Sequence, residues 1–236
     1  MRIDPGRVLT DPFTDRIEGK VVAIGDVHGE YRQLRQLLAD LGERGLLDDR
    51  WLVLLGDYVD IGPDSARVVQ LLLDLHEAFP HTTFLCGNHD LNFAKALGLV
   101  DSPHRRFYWN RLPLRNAETL ESYGAGNGWY LLERMPDDHK DFFRKLPWVV
   151  EHPDYLFVHC GFDPGEPLEG QVEEQRRRDA MQFKPKWLHD DGLAFVGYAH
   201  QTDKTVIAGH SIVPAVRTID NKWLIDTGCG YGGALT

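Results

Sequence analysis

Three short apolar runs, each ending at a glycine and a cluster of metal-binding residue types, constrain this chain more than any other feature. Lys20–Gly25 (KVVAIG) runs into Gly25-Asp26-Val27-His28-Gly29. Trp51–Gly56 (WLVLLG) runs into Gly56-Asp57-Tyr58-Val59-Asp60-Ile61-Gly62, and His81–Gly87 (HTTFLCG) into Gly87-Asn88-His89-Asp90. Between them, Tyr31–Leu41 repeats leucine at helical spacing, and Ala66–Phe79 carries Val68, Val69, Leu71, Leu72 and Leu75 as a second stripe, with Pro63 and Asp64 where a helix would start. Strand–helix units of about thirty residues are the size of a βαβ unit and predict a parallel sheet in the N-terminal half. Ligands of such a sheet bind outside the carboxyl ends of its strands. The glycines permit the sharp turns and close backbone approach that loops at this edge need.

The rhythm breaks at 101–146, which is rich in aromatics and turn residues and closes on a helical Asp137–Leu146. It reads as a helical insertion or cap within a single domain over 1–236, a length that suits one sizeable core. Strands return at Tyr155–His159, Thr205–Gly209, Ala215–Thr218 and Trp223–Asp226, and Gln171–Arg178 reads as a helix. Two of these strands end in His159 and His210, bringing the clusters expected at one sheet edge to five.

Carboxylate, imidazole and amide donors in this combination suit two hard or borderline divalent cations: manganese first, with iron or zinc also compatible, and no thiolate required. A carboxylate can serve two ions at once, and Asp57, in the middle cluster, is the expected bridge. The remaining histidines, His76, His81, His104, His139, His152, His189 and His200, read as structural or solvated.

Composition narrows the partners. Lys and Arg total 26 against 36 Asp and Glu, a net charge of 26 − 36 = −10, and the one basic run, Arg176-Arg177-Arg178, is flanked by acids. No nucleic-acid groove is expected from that footprint. An anionic small substrate remains compatible, because bound cations reverse the local field. Cys86, Cys160 and Cys229 form neither a CxxC pair nor an even set, no apolar run reaches membrane-span length, and Met1–Lys20 lacks the apolar centre of a signal peptide. A reduced cytoplasmic setting without membrane association is the expectation.

The ordered set GDVHG, GDYVDIG, GNHD, VHCG and AGH resembles the phosphoprotein phosphatase signature within the calcineurin-like metallophosphoesterases, from Val21 to Asp226-Thr227-Gly228. Gly87–Leu99, Leu120–Trp148 and Val172-Glu173-Glu174-Gln175 look most like the Rhizobiales-like phosphatases. The resemblance implies an α/β sandwich of two mixed sheets flanked by helices. It implies Asp26 and His28 on the first metal, Asp57 bridging, and Asn88, His159 and His210 on the second. His89 would be the general acid and Asp60 its orienting partner. Hydrolysis would use a hydroxide held between the two metals.

The family's arginine in GDYVDRG, which grips the substrate phosphate, is replaced here by Ile61. Arg178, then Arg177, are the candidates for a second phosphate-binding arginine. Gly209-His210-Ser211-Ile212 lacks the second histidine of the Gly-His-x-His diesterases, which favours phosphomonoesters. The main expectation is therefore a protein phosphatase acting on phosphotyrosine or phosphoserine/threonine. The alternative is a hydrolase of dinucleoside polyphosphates or other small phosphorylated metabolites, whose base could stack on Phe107, Tyr108, Trp109, Trp129 or Tyr130. A second alternative is a catalytically weakened phosphate-binding scaffold.

Overall fold

The computed structural model describes residues 13–112 and 116–236. Residues 1–12 of the domain expected over 1–236, and 113–115 of the expected insertion, lie outside them. The three leading runs form β1 (Lys20–Ile24), β2 (Arg50–Leu54) and β3 (Thr82–Phe84), paired in parallel in the order β1-β2-β3. Ile24 pairs with Leu54, and Leu54 with Phe84, so the three strands end level. α1 (Tyr31–Glu43) and α2 (Ser65–Ala78) connect them, and α3 (Asn88–Leu97) follows. α3 begins at Asn88 itself, so the third cluster occupies the first turn of a helix rather than the loop expected before Leu91.

The 101–146 segment contains α4 (Arg105–Trp109), α5 (Ala117–Ser122), α6 (Gly128–Arg134) and α7 (Asp137–Lys145). Past it lie β4 (Val149–Glu151), β5 (Tyr155–Val158), α8 (Leu168–Arg177), α9 (Lys186–His189), β6 (Thr205–Ala208), β7 (Arg217–Ile219) and β8 (Lys222–Leu224). The second sheet has the order β4-β5-β6-β8-β7 and is mixed: β5, β6 and β8 run parallel, with an antiparallel strand at each side. The first sheet, expected from the resemblance to be mixed as well, is parallel throughout its described strands.

The two sheets pack face to face, with helices outside. Period-two alternation explains the continuous apolar runs. Leu52 and Leu54 of β2 face the cluster shared with α1, α2, α3 and α7, whereas Val53 faces the second sheet. Leu156 and Val158 of β5 face α8 and α9, whereas Phe157 joins Val53, Leu85, Val150, Ile207 and Ile225 between the sheets. Pairing Val158 with Ala208, and Ala208 with Leu224, levels the second set of carboxyl ends, so His159, His210 and Asp226 follow one, two and two residues later. Among the described residues no helix is long and apolar enough to cross a membrane.

His139 on α7 is buried against α2, its Nδ1 2.8 Å from the Tyr123 hydroxyl and its Nε2 3.2 Å from Gln70 Oε1. The neutral ring satisfies both partners, accepting from the hydroxyl and donating to the amide oxygen. Burial pushes its pKa down to about 4, from 6.5 for a free imidazole. Between those values the unfolded chain binds more protons, so stability falls as pH drops through that window. In chelator, urea titrations from pH 7 to pH 4 should show His139→Gln losing less stability than the parent, by on the order of 3 kcal/mol. Equal losses would mean that folding does not hold the His139 ring neutral.

Candidate active site

The level strand ends bring five segments to one edge, and the backbone there is unusually bent. His28, Asp57, Asp60, Ile61 and His210 adopt φ of 46°, 54°, 71°, 72° and 65°. Left-handed conformations at non-glycine residues persist only where surrounding bonds over-determine them. Asp90 supplies that hold for the second and third segments. Its Oδ2 accepts from the N–H of Asp57 (2.7 Å) and Gly87 (2.9 Å), and its Oδ1 from the N–H of Tyr58 (2.9 Å). Gly87 is needed because a Cβ there would collide with Asp57.

Asp57 sits at the centre and is almost fully buried. Its Oδ2 lies 3.6 Å from His28 Nε2 and 3.5 Å from His159 Nε2, and its Oδ1 accepts the His89 N–H at 2.9 Å. The other ring nitrogens are already committed. His28 Nδ1 meets the Val59 carbonyl at 3.1 Å and His159 Nδ1 the Leu55 carbonyl at 2.9 Å, so each Nδ1 donates to a carbonyl and each Nε2 is turned toward Asp57. Asn88 Oδ1 lies 2.9 Å from both His159 Nε2 and His210 Nδ1. Asp26 accepts the His210 N–H at 3.0 and 3.2 Å.

His28, Asp57 and His89 on one side, and Asp57, His159 and His210 on the other, each place ligand atoms within 4.8 Å of one another. Asp57 belongs to both groups. Converging lone pairs and carboxylate oxygens repel unless a cation lies between them, so the donor set fits two divalent ions. Charge balance points the same way. Burial, with Asp226 and Asp57 adding to it against the pull of His159, drives the Asp26 pKa well up. Burial disfavours charge on His159, yet Asp57 and Asp26 outweigh it and lift its pKa to about 10. Asp226, buried beside Asp26 and accepting from the Gly228 N–H at 2.9 Å, is a further acid that was not singled out as a candidate.

His89 stands over this centre, its ring edge-on to His28 at 4.9 Å, and its Nδ1 bonds Asp60 Oδ2 at 2.7 Å. Burial opposes its charge, but Asp57 and the Asp60 bond win and raise its pKa to about 9. Asp60 is oriented by the cap. Its Oδ1 accepts from Asn116 Nδ2 and from Thr119 Oγ1 (3.0 Å), and its own N–H donates to Thr119 Oγ1 (2.9 Å). Asn116 and Thr119 escaped the sequence reading, although Asn116 immediately precedes α5.

A cavity of about 340 Å³ opens on these residues, lined by Asp60, Asn88, His89 and His210 together with Asn92, Phe107, Tyr108, Arg111, Asn116, Lys184, His189 and Asp191. Asp191 Oδ1 comes within 3.0 Å of His210 Nε2, close enough for an ion pair but without hydrogen-bond geometry. His189, expected to be structural or solvated, is on this wall. Its Nε2 meets Asn92 Oδ1 at 3.2 Å, and burial lowers its pKa to about 4.

Arg177 and Arg178 are not brought to the cavity. Arg177 is exposed, and Arg178 ends α8 with its Nη1 directed at the carbonyls of Arg144 and Leu146, at 3.4 and 3.5 Å. The cationic side chains that do line it are Arg111 and Lys184. Of the proposed stacking residues, Phe107 and Tyr108 line the cavity, whereas Trp109, Trp129 and Tyr130 do not; Trp109 packs on Trp129 with centroids 5.0 Å apart.

The family model for calcineurin-like phosphoesterases matches residues 19–232. A symmetrical bis(5'-nucleosyl)-tetraphosphatase of Nitrosomonas europaea is 40% identical, covering 91% of this chain and 92% of that protein. An asymmetrical bis(5'-nucleosyl)-tetraphosphatase, PrpE, of Halalkalibacterium halodurans is 26% identical over 90% and 87%. A cold-active protein-tyrosine phosphatase of a Shewanella species superposes with a TM-score of 0.64 at 15% identity, covering 95% of this chain and 76% of that one. At that identity it shows the fold alone. The expectation of a protein phosphatase for phosphotyrosine or phosphoserine/threonine monoesters is therefore corrected: the relatives similar along nearly their whole length are named for a phosphoanhydride substrate. The physical reason is that the metal-edge motifs specify how a phosphoryl group is held, not what it is attached to. The missing second histidine bears on a ligand, and it carried the monoester inference too far.

If Asn116 and Thr119 act through Asp60 on His89, their loss should not add to the loss of His89. Thr119→Val is expected to lower kcat ~10-fold at nearly constant KM, and His89→Ala ~10²–10³-fold. The double variant should then match His89→Ala alone. An additive double variant would assign Thr119 to stability instead.

Proposed function

The chain belongs to the calcineurin-like phosphoesterase family, and from that premise we propose that it hydrolyses dinucleoside polyphosphates at a phosphoanhydride bond. The observation that carries this reading is the 40% identity, over 92% of its length, to a relative named as a symmetrical bis(5'-nucleosyl)-tetraphosphatase. The narrower likeness to Rhizobiales-like phosphatases has no part in it. A cavity of about 340 Å³ supports the reading, because it falls in the range that takes nucleotide-sized ligands rather than a lone phosphate.

In this reading Asp26, His28 and Asp57 hold one divalent ion and Asp57, Asn88, His159 and His210 the other. Manganese, iron and zinc all suit oxygen and nitrogen donors. Bound there, the two ions supply charge neutralisation at the phosphoryl oxygens and acidify water. The carbonyls of Val59 and Leu55 fix the tautomers of His28 and His159, so both rings present Nε2 inward. Water adds to phosphorus, losing a proton to solvent, as the bridging P–O bond breaks. His89, held by Asp60 at 2.7 Å, gives a proton to the departing phosphate oxygen. Asp60 keeps the ring aimed and is itself kept by Asn116 and Thr119. Without an arginine at position 61, the scissile phosphate depends more on the acidic edge and its ions.

The test uses purified protein stripped with chelator and reloaded with manganese. Turnover of a dinucleoside tetraphosphate should exceed that of p-nitrophenyl phosphate and of a phosphotyrosine peptide by at least ~10-fold in kcat/KM. Asp57→Asn should abolish it and lower manganese binding measured by calorimetry. Preference for the peptide or the aryl monoester would overturn the proposal.

A further inference from the structure

We propose that Arg111 and Lys184 form a second anion subsite that holds the phosphates flanking the scissile one, making the cavity selective for a polyphosphate chain over a single phosphate. This rests on the proposed phosphoanhydride substrate. Both side chains line the same cavity as His89, Asn88 and His210, and neither makes an ion pair among the described residues. They differ in this from cations such as Arg176, paired with Asp15, Glu151 and Glu173, Lys186, paired with Asp163 and Glu166, and Lys204, paired with Glu151. In a chain of net charge −10, two unpaired cations facing one cavity are available for an anionic ligand.

The wall that carries them is built rather than loose. Arg111 stacks its guanidinium 3.9 Å from the centroid of the Phe107 ring, which limits its rotamers without using its N–H donors. That stacking gives Phe107 a role other than base stacking, since its ring also meets Phe183 with centroids 4.8 Å apart. Lys184 follows Phe183 in a segment fixed from below. The Phe183 carbonyl accepts from the Tyr108 hydroxyl and from Lys95 Nζ at 3.2 Å, and the Gln182 carbonyl accepts from Lys95 Nζ at 2.6 Å. Lys95 is on α3, the helix whose first turn bears Asn88 and His89. The distance from the reacting edge to the second cationic wall is thus set by one helix. A pre-set spacing is what selection for a chain of phosphates needs, because each further phosphate arrives at a place already fixed.

The experiment compares Arg111→Ala, Lys184→Ala, the pair, and Arg106→Ala as an exposed arginine of α4 outside the cavity lining. With manganese-loaded enzyme, each cavity variant should raise KM for a dinucleoside tetraphosphate ~10- to 100-fold with kcat changed only a few-fold, as loss of a charge-assisted contact to phosphate predicts. The selectivity ratio over p-nitrophenyl phosphate should fall by the same factor, and Arg106→Ala should leave it unchanged. Inorganic tripolyphosphate as an inhibitor of p-nitrophenyl phosphate hydrolysis, at constant free manganese, should weaken in parallel while orthophosphate does not. If the parent enzyme spares the tetraphosphate but tripolyphosphate inhibition still weakens in the variants, the substrate proposal falls and the subsite stands. Equal losses on both substrates, or no change in the tripolyphosphate constant, overturn the subsite.

Discussion

A carboxylate kept ionised inside the protein organises the rest of this structure. Asp57 is all but removed from water, and burial alone would drive its proton back on; His159, His89 and His28 outweigh that, and its pKa lies well below the carboxylate range. A buried charge of this kind is tolerated only where donors and opposite charge meet it on every side. The partners come from separate strand ends: His28 after β1, His89 on α3 after β3, and His159 after β5 in the other sheet. One side chain's electrostatic requirement therefore couples the registers of two sheets, and the apolar layer of Val53, Phe157 and Ile207 between them holds that coupling in place. The strained φ of Asp57 follows from the same demand, with Asp90 compensating through three backbone N–H groups.

The cap is joined to this edge through polar contacts that serve two ends. Thr119 and Asn116 aim Asp60, while Tyr108 and Lys95 position the segment bearing Lys184. Lys95 is completely buried, which lowers its pKa to about 8, and it spends its donors on the carbonyls of Gln182 and Phe183. Such a lysine is expensive to bury, and what it secures is rigidity between α3 and a wall of the cavity. His89, Asp60 and the segment carrying Lys184 are thereby tied to one another through α3 and the cap, a fixed geometry of the kind phosphoryl chemistry would need.

Much of the metal edge was legible because its signals are local. A β-branched run, a glycine and a ligand type occupy fewer than ten residues, and a parallel register brings the ends together without further information. The clusters that contain Asp26, His28, Asp57, Asn88, His159 and His210 were read this way, the choice of these six as ligands came from the family resemblance, and all of them meet here. What was not legible depends on contacts remote in sequence. Thr119 reaches Asp60 across 59 positions, and Lys95 reaches Phe183 across 88. β4 is only three residues long and follows directly on a helix, so no periodicity announces it. His189 carries no cluster of its own and is drawn to the cavity by the short helix α9. Arg177 and Arg178 were candidates by chain order alone, and α8 packs on the outer side of the second sheet, away from the reacting edge.

Ile61 shows how the substrate question and the backbone are linked. A β-branched residue at φ 72° is costly, on the order of 1–3 kcal/mol, and it is kept there by the Gly62 N–H donating to the carbonyls of His28 (2.8 Å) and Asp60 (2.9 Å). Its side chain meets the 228–232 turn: a Cβ on Gly230 would lie 3.2 Å from Ile61 Cγ2 and 2.6 Å from His28 Cβ. The side chain at this position therefore lies against the same turn as His28, and it has no donor to offer a phosphate. Removing a guanidinium from beside the scissile group weakens the hold on an isolated phosphate, whereas a substrate with flanking phosphates can be held by cations farther along the cavity. With the proposed phosphoanhydride substrate the demand on His89 would also relax, since a departing phosphate is a weaker base than an alkoxide and needs less of a proton at the moment the bond breaks. In the proposed reading, the isoleucine at this edge and the cations Arg111 and Lys184 on the cavity wall would be two parts of one displacement of the grip, away from the phosphorus being attacked and toward the chain that carries it.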